Sequence, residues 1–278
     1  MPMDKRTTSA SNTGSYIARG ASAELFDVGN AQVLKLFRDS VSDEMIAREI
    51  EASIHAETSG VPTAAAFARQ DRHGRRGIVY PRLEGATVMD WVRRNPMRAG
   101  WAIDQMGAIH GAMHRARGGT LRPLKQVLAT DIAYGPAPVP LQRAAIAYLE
   151  TLPDWDALIH GDFHLGNIMM TPQGMKVIDW SKAAAGHPAA DAVRSEMLMR
   201  FGIGPADWVT NLWRDWAAGR LRRGWLTASP DMVVRDIDAW RPVVALAWLR
   251  AREAGRTPAF MRYLDRALAQ AGLPQLDR

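Results

Sequence analysis

The chain has 278 residues, 47% hydrophobic and 23% charged, which gives enough apolar mass for a buried core and room for one large domain or two lobes. Its formal charge of +6 comes from 35 Lys and Arg against 29 Asp and Glu, but only five of those cations are lysines (Lys5, Lys35, Lys125, Lys176, Lys182), an arginine bias that speaks against a nucleic-acid footprint. The absence of cysteine excludes disulfide scaffolds, thiolate zinc sites, iron–sulfur clusters and cysteine nucleophiles.

Residues 1–15 are polar, rich in Ser, Thr and Asn, and read as a disordered leader rather than a secretory signal. From Tyr16 to Phe37 the pattern is strand-like, with Gly29-Asn30 turning a hairpin between Leu25–Val28 and Gln32–Phe37. Asp43–Glu57 reads as a helix with Met45, Ile46, Ile50 and Ile54 on one face and Ser42 or Asp43 as its cap. Ala64–Gln70 and Gly77–Leu83 are the next strands, around a solvated arginine-rich turn at Asp71–Arg76. After Gly85 the period becomes helical: Met89–Arg94, Trp101–Arg115 and Leu141–Leu149, the last preceded by a proline-rich loop at Tyr134–Pro140.

Past residue 200 the pattern predicts helices over Pro205–Arg223, Asp231–Trp240, Pro242–Glu253 and Pro258–Ala271, with Pro205, Pro242 and Pro258 in first turns. Six of the ten tryptophans fall in this stretch and read mostly as core. The longest purely apolar run, Val243 to Leu249, is far below the ~20 residues of a membrane span. A soluble cytoplasmic protein with no membrane or nucleic-acid partner is expected. A strand-rich part thus precedes a helical one, an α+β plan in two lobes with a cleft for a ligand between them.

The chemistry concentrates in one segment. His160-Gly161-Asp162-Phe163-His164-Leu165-Gly166-Asn167 leads into Ile168–Met170, a Pro/Gly turn and Lys176–Ile178, followed by Asp179-Trp180. A hairpin there brings Asp162, Asn167 and Asp179 to one end of one ribbon. Two carboxylates and an amide oxygen are hard ligands suited to Mg²⁺ and to a reaction in which a carboxylate receives a proton beside phosphate. His110 and His114 stand four apart on a helix, but no third metal ligand is evident, and they read as core or surface histidines. Asp191 reads as structural, tying the catalytic region to its helix.

These residues resemble the aminoglycoside phosphotransferase family, small-molecule kinases of protein-kinase-like fold related to choline and homoserine kinases. His-x-Asp with Asn five residues on, then Ile-Asp-Trp after a hairpin, carries the likeness; Gly186-His187-Pro188 with Asp191, and Ala112-Met113-His114, extend it. The resemblance implies a small antiparallel-sheet lobe over 16–80, a hinge over 81–86 and a larger helical lobe over 87–278. It implies that Asp162 orients and deprotonates an acceptor hydroxyl, that His160 buttresses the catalytic loop, and that Asn167 and Asp179 hold Mg²⁺ against the phosphates of ATP or GTP. Lys35 corresponds to the phosphate-binding strand lysine, with Glu49 as its ion partner and Glu51 second. The phosphate loop corresponds to Gly20–Glu24, where Ser22 and Ala23 offer backbone amides although only one glycine is present. Pro81 and Leu83 correspond to the adenine-binding hinge through a carbonyl and an amide.

The implied activity is transfer of the γ-phosphate to a small-molecule hydroxyl. The acceptor is a metabolite or an antibiotic such as an aminoglycoside. Residues 87–278 carry 24 Lys and Arg against 18 Asp and Glu, so no acidic surplus favours a polycation, and antibiotic resistance ranks second. A protein kinase or regulatory ATPase, and a non-catalytic nucleotide-binding module, are the alternatives. A monomer or a dimer is expected.

Overall fold

The computed structural model describes residues 14–20, 22–204, 207–250 and 257–276. The chain opens with β1 (Ser15–Arg19), β2 (Ala23–Gly29) and β3 (Gln32–Phe37), an antiparallel meander whose tight turn holds Asn30 and Ala31 at φ 52° and 53°. Helix α1 (Asp43–Thr58) follows, capped by the Ser42 hydroxyl, which accepts from the Met45 N–H at 3.3 Å. Asp43 and Glu44 lie in its first turn, where carboxylates favour the helix dipole. Ile46 is fully buried, whereas Met45 and Ile54 are exposed, so the buried stripe runs instead through Ile46, Glu49, Ala52, Ser53 and Ala56.

β4 (Ala68–Arg69) and β5 (Gly77–Pro81) complete a five-stranded sheet in the order β1-β2-β3-β5-β4. The strand expected over Ala64–Gln70 is only two residues long. Ala66 gives its N–H to Ser53 Oγ on α1 (3.0 Å) instead of to the sheet.

β6 (Ala86–Thr87) then leads into helices α2 (Val88–Arg94), α3 (Ala99–Met113), α4 (Leu124–Ala133) and α5 (Val139–Thr151). Sequence reading missed α4, although Leu124, Leu128 and Ile132 recur every fourth residue and are buried together. Three short strands follow: β7 (Ala157–Ile159), β8 (Ile168–Thr171) and β9 (Gly174–Val177). β8 and β9 form the anticipated hairpin, with β6 on its outer edge, and β7 pairs with β10 (Ala184–Gly186).

The helices α6 (Pro188–Phe201), α7 (Trp208–Ala228), α8 (Val234–Trp248) and α9 (Pro258–Gln270) close the molecule. Pro258 begins α9, while Pro205 and Glu253 lie outside the described residues. The two helices expected on either side of Pro242 are one, α8. Proline costs the i−4 hydrogen bond. Burial of Trp240, Val243, Val244, Leu246 and Ala247 around it outweighs that loss. Of the six late tryptophans, Trp225, Trp240 and Trp248 are buried but Trp208 and Trp216 are exposed.

One apolar cluster ties the sheet region to the helices. Ala52 and Ala56 of α1 and Val61 pack with Ile103, Met106, Phe163, Ile168, Val177 and Trp180. Thr63 Oγ1 donates to the Val177 carbonyl (2.6 Å) and accepts from Trp180 Nε1 (2.9 Å). The fold is therefore α+β and protein-kinase-like, with an antiparallel sheet in the N-terminal part and a mostly helical C-terminal part.

Candidate active site

The loop between β7 and β8 carries Asp162 and Asn167, and Asp179 follows β9 directly. Gly161 adopts φ 75°, and a Cβ there would lie 2.5 Å from the Lys182 carbonyl, so only glycine passes this point. His160 is fully buried. Its Nδ1 accepts the Asp162 N–H at 3.1 Å, which leaves Nε2–H to donate to the Ile178 carbonyl at 3.1 Å. One neutral imidazole thus ties Asp162 to the approach of Asp179. Burial pushes the His160 pKa down against the pull of Asp191, Asp162 and Asp179, in keeping with that neutral tautomer.

Beneath the loop lies Asp191, 1% exposed, on the first turn of α6. Its carboxylate accepts the backbone N–H groups of His160 (3.0 Å) and Gly161 (2.9 Å), and the Nε2–H groups of His110 (3.0 Å) and His114 (3.1 Å). Burial alone would raise its pKa, but the two histidine hydrogen bonds hold it well below the usual carboxylate range. His110, His114 and Asp191 are close enough to hold a metal, so the structure supplies the third group that the sequence did not reveal. Trp225 Nε1 decides against a metal: it donates to His114 Nδ1 at 2.9 Å, so His114 Nε2 carries the proton and has no lone pair to offer. The cluster is a brace for the loop, and the His110 ring stacks on Phe163 at 4.1 Å.

Lys35 lies mid-strand on β3. It donates to Glu49 Oε1 of α1 at 2.6 Å and to Asp179 Oδ1 at 3.2 Å. Tyr80 of β5 donates to the same Glu49 oxygen at 2.8 Å. Burial opposes the charge on Lys35, but Glu49 and Asp179 outweigh it and raise the pKa of the ammonium. Glu51 points elsewhere and accepts from Thr120 Oγ1 (2.9 Å). Asp179 itself sits at φ 64°, a left-handed conformation of the kind that marks functional sites. Asp162, Asn167, Asp179, Lys35, Glu49 and His160 thereby belong to one connected network.

Burial works against ionisation of Asp162, yet the neighbouring His164, Arg194 and His160 prevail and hold its pKa at about 2. His164 Nε2 lies 3.8 Å from Asp162 Oδ2. Asn167 spends its amide nitrogen on the Asp162 carbonyl (2.9 Å) and Oδ2 (3.0 Å), which leaves its amide oxygen as a ligand atom. Lys35 and Ser181 both engage Asp179 Oδ1, so Oδ2 is the freer oxygen among the described residues. An amide oxygen and a carboxylate oxygen held by neighbouring bonds fit a hard divalent cation such as Mg²⁺.

The remaining predicted residues lie apart from this network, near the ends of β3. Ala23 pairs with Phe37 at one end and Pro81 with Gln32 at the other, with Lys35 between. The Ser22 carbonyl accepts from the Arg38 N–H (2.9 Å); Ala21 lies outside the described residues. Leu83 is half-buried and lines an open groove of about 560 Å³ with Ala31, Arg82, Glu84 and Gly85. Three residues of the site were missed. Tyr80 is visible only as a neighbour of the hinge, His164 only as a member of the motif segment with no role of its own, and Arg194, which donates to the Gly161 carbonyl, is hidden among thirty arginines.

Comparison with protein families matches residues 13–233 to the phosphotransferase enzyme family. No curated protein matches the chain. Among solved structures, a choline/ethanolamine kinase family protein from Mesorhizobium loti superposes with a TM-score of 0.57 at 17% identity, over 95% of this chain and 88% of that one. Amicoumacin kinase hAmiN, in complex with AMP-PNP, Ca²⁺ and Ami, gives 0.58 at 15% identity over 94% and 88%. Aminoglycoside phosphotransferase APH(3'')-Id from Streptomyces rimosus, in complex with ADP and streptomycin, gives 0.57 at 15% identity over 85% and 94%. At these identities the likeness is one of fold.

Proposed function

The chain belongs to the phosphotransferase enzyme family, as a small-molecule kinase with a hydroxyl acceptor, and we propose that ATP and Mg²⁺ serve the network around Asp162. The observation that supports this most is the convergence itself: a carboxylate held ionised, an amide and a carboxylate oxygen free for a cation, and a buried lysine joined to that second carboxylate. In this reading residues 16–80 are the nucleotide lobe, 81–86 the hinge and 87–278 the acceptor lobe of a cytoplasmic enzyme.

Nucleotide would lie along β3, its adenine at the Pro81 carbonyl and Leu83 amide and its phosphates toward Ser22 and Ala23. Lys35, steadied by Glu49, would reach the phosphates. Asn167 and Asp179 would hold Mg²⁺, which screens phosphate charge when bound. Asn167 and His164 occupy the Oδ2 side of Asp162, so Oδ1 is the oxygen for the acceptor hydroxyl. The hydroxyl oxygen bonds to the γ-phosphorus as the β–γ bridging bond breaks, ADP departs, and the hydroxyl proton passes to Asp162. A carboxylate with a pKa of about 2 is a weak base. Its contribution is therefore orientation, with proton transfer late in a loose transition state.

The test is to incubate the chain with MgATP and a panel of hydroxylated small molecules and to identify products by mass. A phosphorylated small molecule is expected. Phosphate found only on protein, or ATP hydrolysis with no phosphorylated product from any acceptor, would overturn the reading.

A further inference from the structure

Three cations gather around the loop that carries Asp162, and none of them is salt-bridged to a carboxylate among the described residues. Arg194 of α6 gives Nε–H to the Gly161 carbonyl, one residue from Asp162. Lys182 packs against that same glycine, its Cβ 3.0 Å from where a Gly161 Cβ would stand. Arg122, half-buried before α4, donates Nε–H to the carbonyl of Ala183, the residue after Lys182, at 3.2 Å. Among the described residues none of the three forms an ion pair with a carboxylate. Asp131, an acid close to Arg122 and Lys182, is taken by Arg250 at 2.6 Å.

The cations feel one another. Burial, then Arg194 and Arg122, push the Lys182 ammonium pKa down, against Asp162 and Asp131. Burial, then Arg48 from α1, push that of Arg122 down, with Arg194 adding to it against Asp131. Such a cluster is held together by the fold at a cost that an anion would relieve. Both guanidinium groups spend Nε on backbone carbonyls, leaving Nη groups able to grip carboxylate or phosphate oxygens.

Resting on the phosphotransfer reading above, we infer that the acceptor is a small hydroxylated anion. Its hydroxyl meets Asp162, and its carboxylate or phosphate meets Arg122, Lys182 and Arg194. The bonds made and broken are those already described; the triad sets which alcohol arrives. A polycation would be repelled from the same place.

The experiment measures kcat/KM for MgATP-dependent phosphorylation of glycerate and gluconate, glycerol 3-phosphate, sorbitol and kanamycin. The expected result is a preference of about tenfold or more for an anionic alcohol over sorbitol. The carboxylate and phosphate arms show which anion the triad takes. Lys182→Glu should raise KM for that anion by about tenfold or more, mainly in KM rather than kcat, with recovery in Lys182→Arg. Arg143→Glu, on an exposed face of α5, is the control for net charge and should leave KM unchanged. Sorbitol or kanamycin as the better acceptor, or a KM indifferent to Lys182→Glu, would overturn the inference while leaving phosphotransfer intact. Failure of every acceptor, whatever its charge, would overturn the phosphotransfer reading and this inference with it.

Discussion

Lys35 and Glu49 are 8% and 2% exposed; Lys35 is the cation that opposes the burial of Glu49, while Glu49 and Asp179 together sustain the charge on Lys35. Replacing Lys35 by Met leaves a buried carboxylate with Tyr80 as its one side-chain hydrogen-bond donor among the described residues, and should cost about 3–5 kcal/mol in a denaturant titration. Adding Glu49→Gln should recover most of that stability without restoring nucleotide affinity, which separates the structural part of the pair from its phosphate-binding part. No recovery in the double variant would show that the pair does not act as a unit.

The buried histidines make a second prediction. Burial, then repulsion from His114, lowers the His110 pKa from the ordinary 6.5 to about 4 against the pull of Asp191; burial lowers that of His187 to about 4 against Asp236. Between pH 6.5 and 4 the unfolded chain binds protons at these positions and the native chain does not, so stability falls as pH falls through that window. Each group contributes at most about 1.4 kcal/mol per pH unit there. The Tm should drop steadily from pH 7 to pH 5, and less steeply in His110→Gln. A flat profile would contradict the neutral, buried state of both rings.

Helices α3 and α7 cross at Gly107 and Gly224, and the two glycines are not equivalent. A Cβ on Gly107 would meet the Gly224 backbone at 2.8 Å, whereas one on Gly224 would find nothing nearer than 3.4 Å. Gly107→Ala should therefore force the helices apart and cost about 1–3 kcal/mol. Gly224→Ala should stay within about 1 kcal/mol of neutral, because helix propensity favours it. Equal effects in thermal unfolding would refute this crossing. At the same scale α8 shows where local signals stop: Pro242 marks a helix start by every rule of sequence, yet the buried residues around it carry the helix through. The α4 stripe was legible but overlooked beside the proline-rich loop that follows it.

Across the whole molecule, legibility followed distance along the chain. Asp162, Asn167 and Asp179 fall in one short segment with fixed spacing, so a hairpin sufficed to bring them together. Lys35 stood out because lysine is scarce. His110, His114 and Asp191 meet only because α3 and α6 pack on the same loop, and Arg122, Lys182 and Arg194 meet only through the returns of β10 and α6. No local pattern encodes such meetings. The net charge of +6 likewise acquires meaning only from where it sits, since three of its cations gather around the loop that carries Asp162.

Phosphotransfer by this chain turns on Asp162 serving the transfer step and not nucleotide binding. The direct measurement compares wild type with Asp162→Asn, using MgATP affinity by calorimetry and turnover with the best acceptor found. Affinity should change less than about threefold, while turnover falls by about 10²–10⁴. Turnover that survives the substitution, or that falls only in proportion to lost nucleotide affinity, would contradict the account.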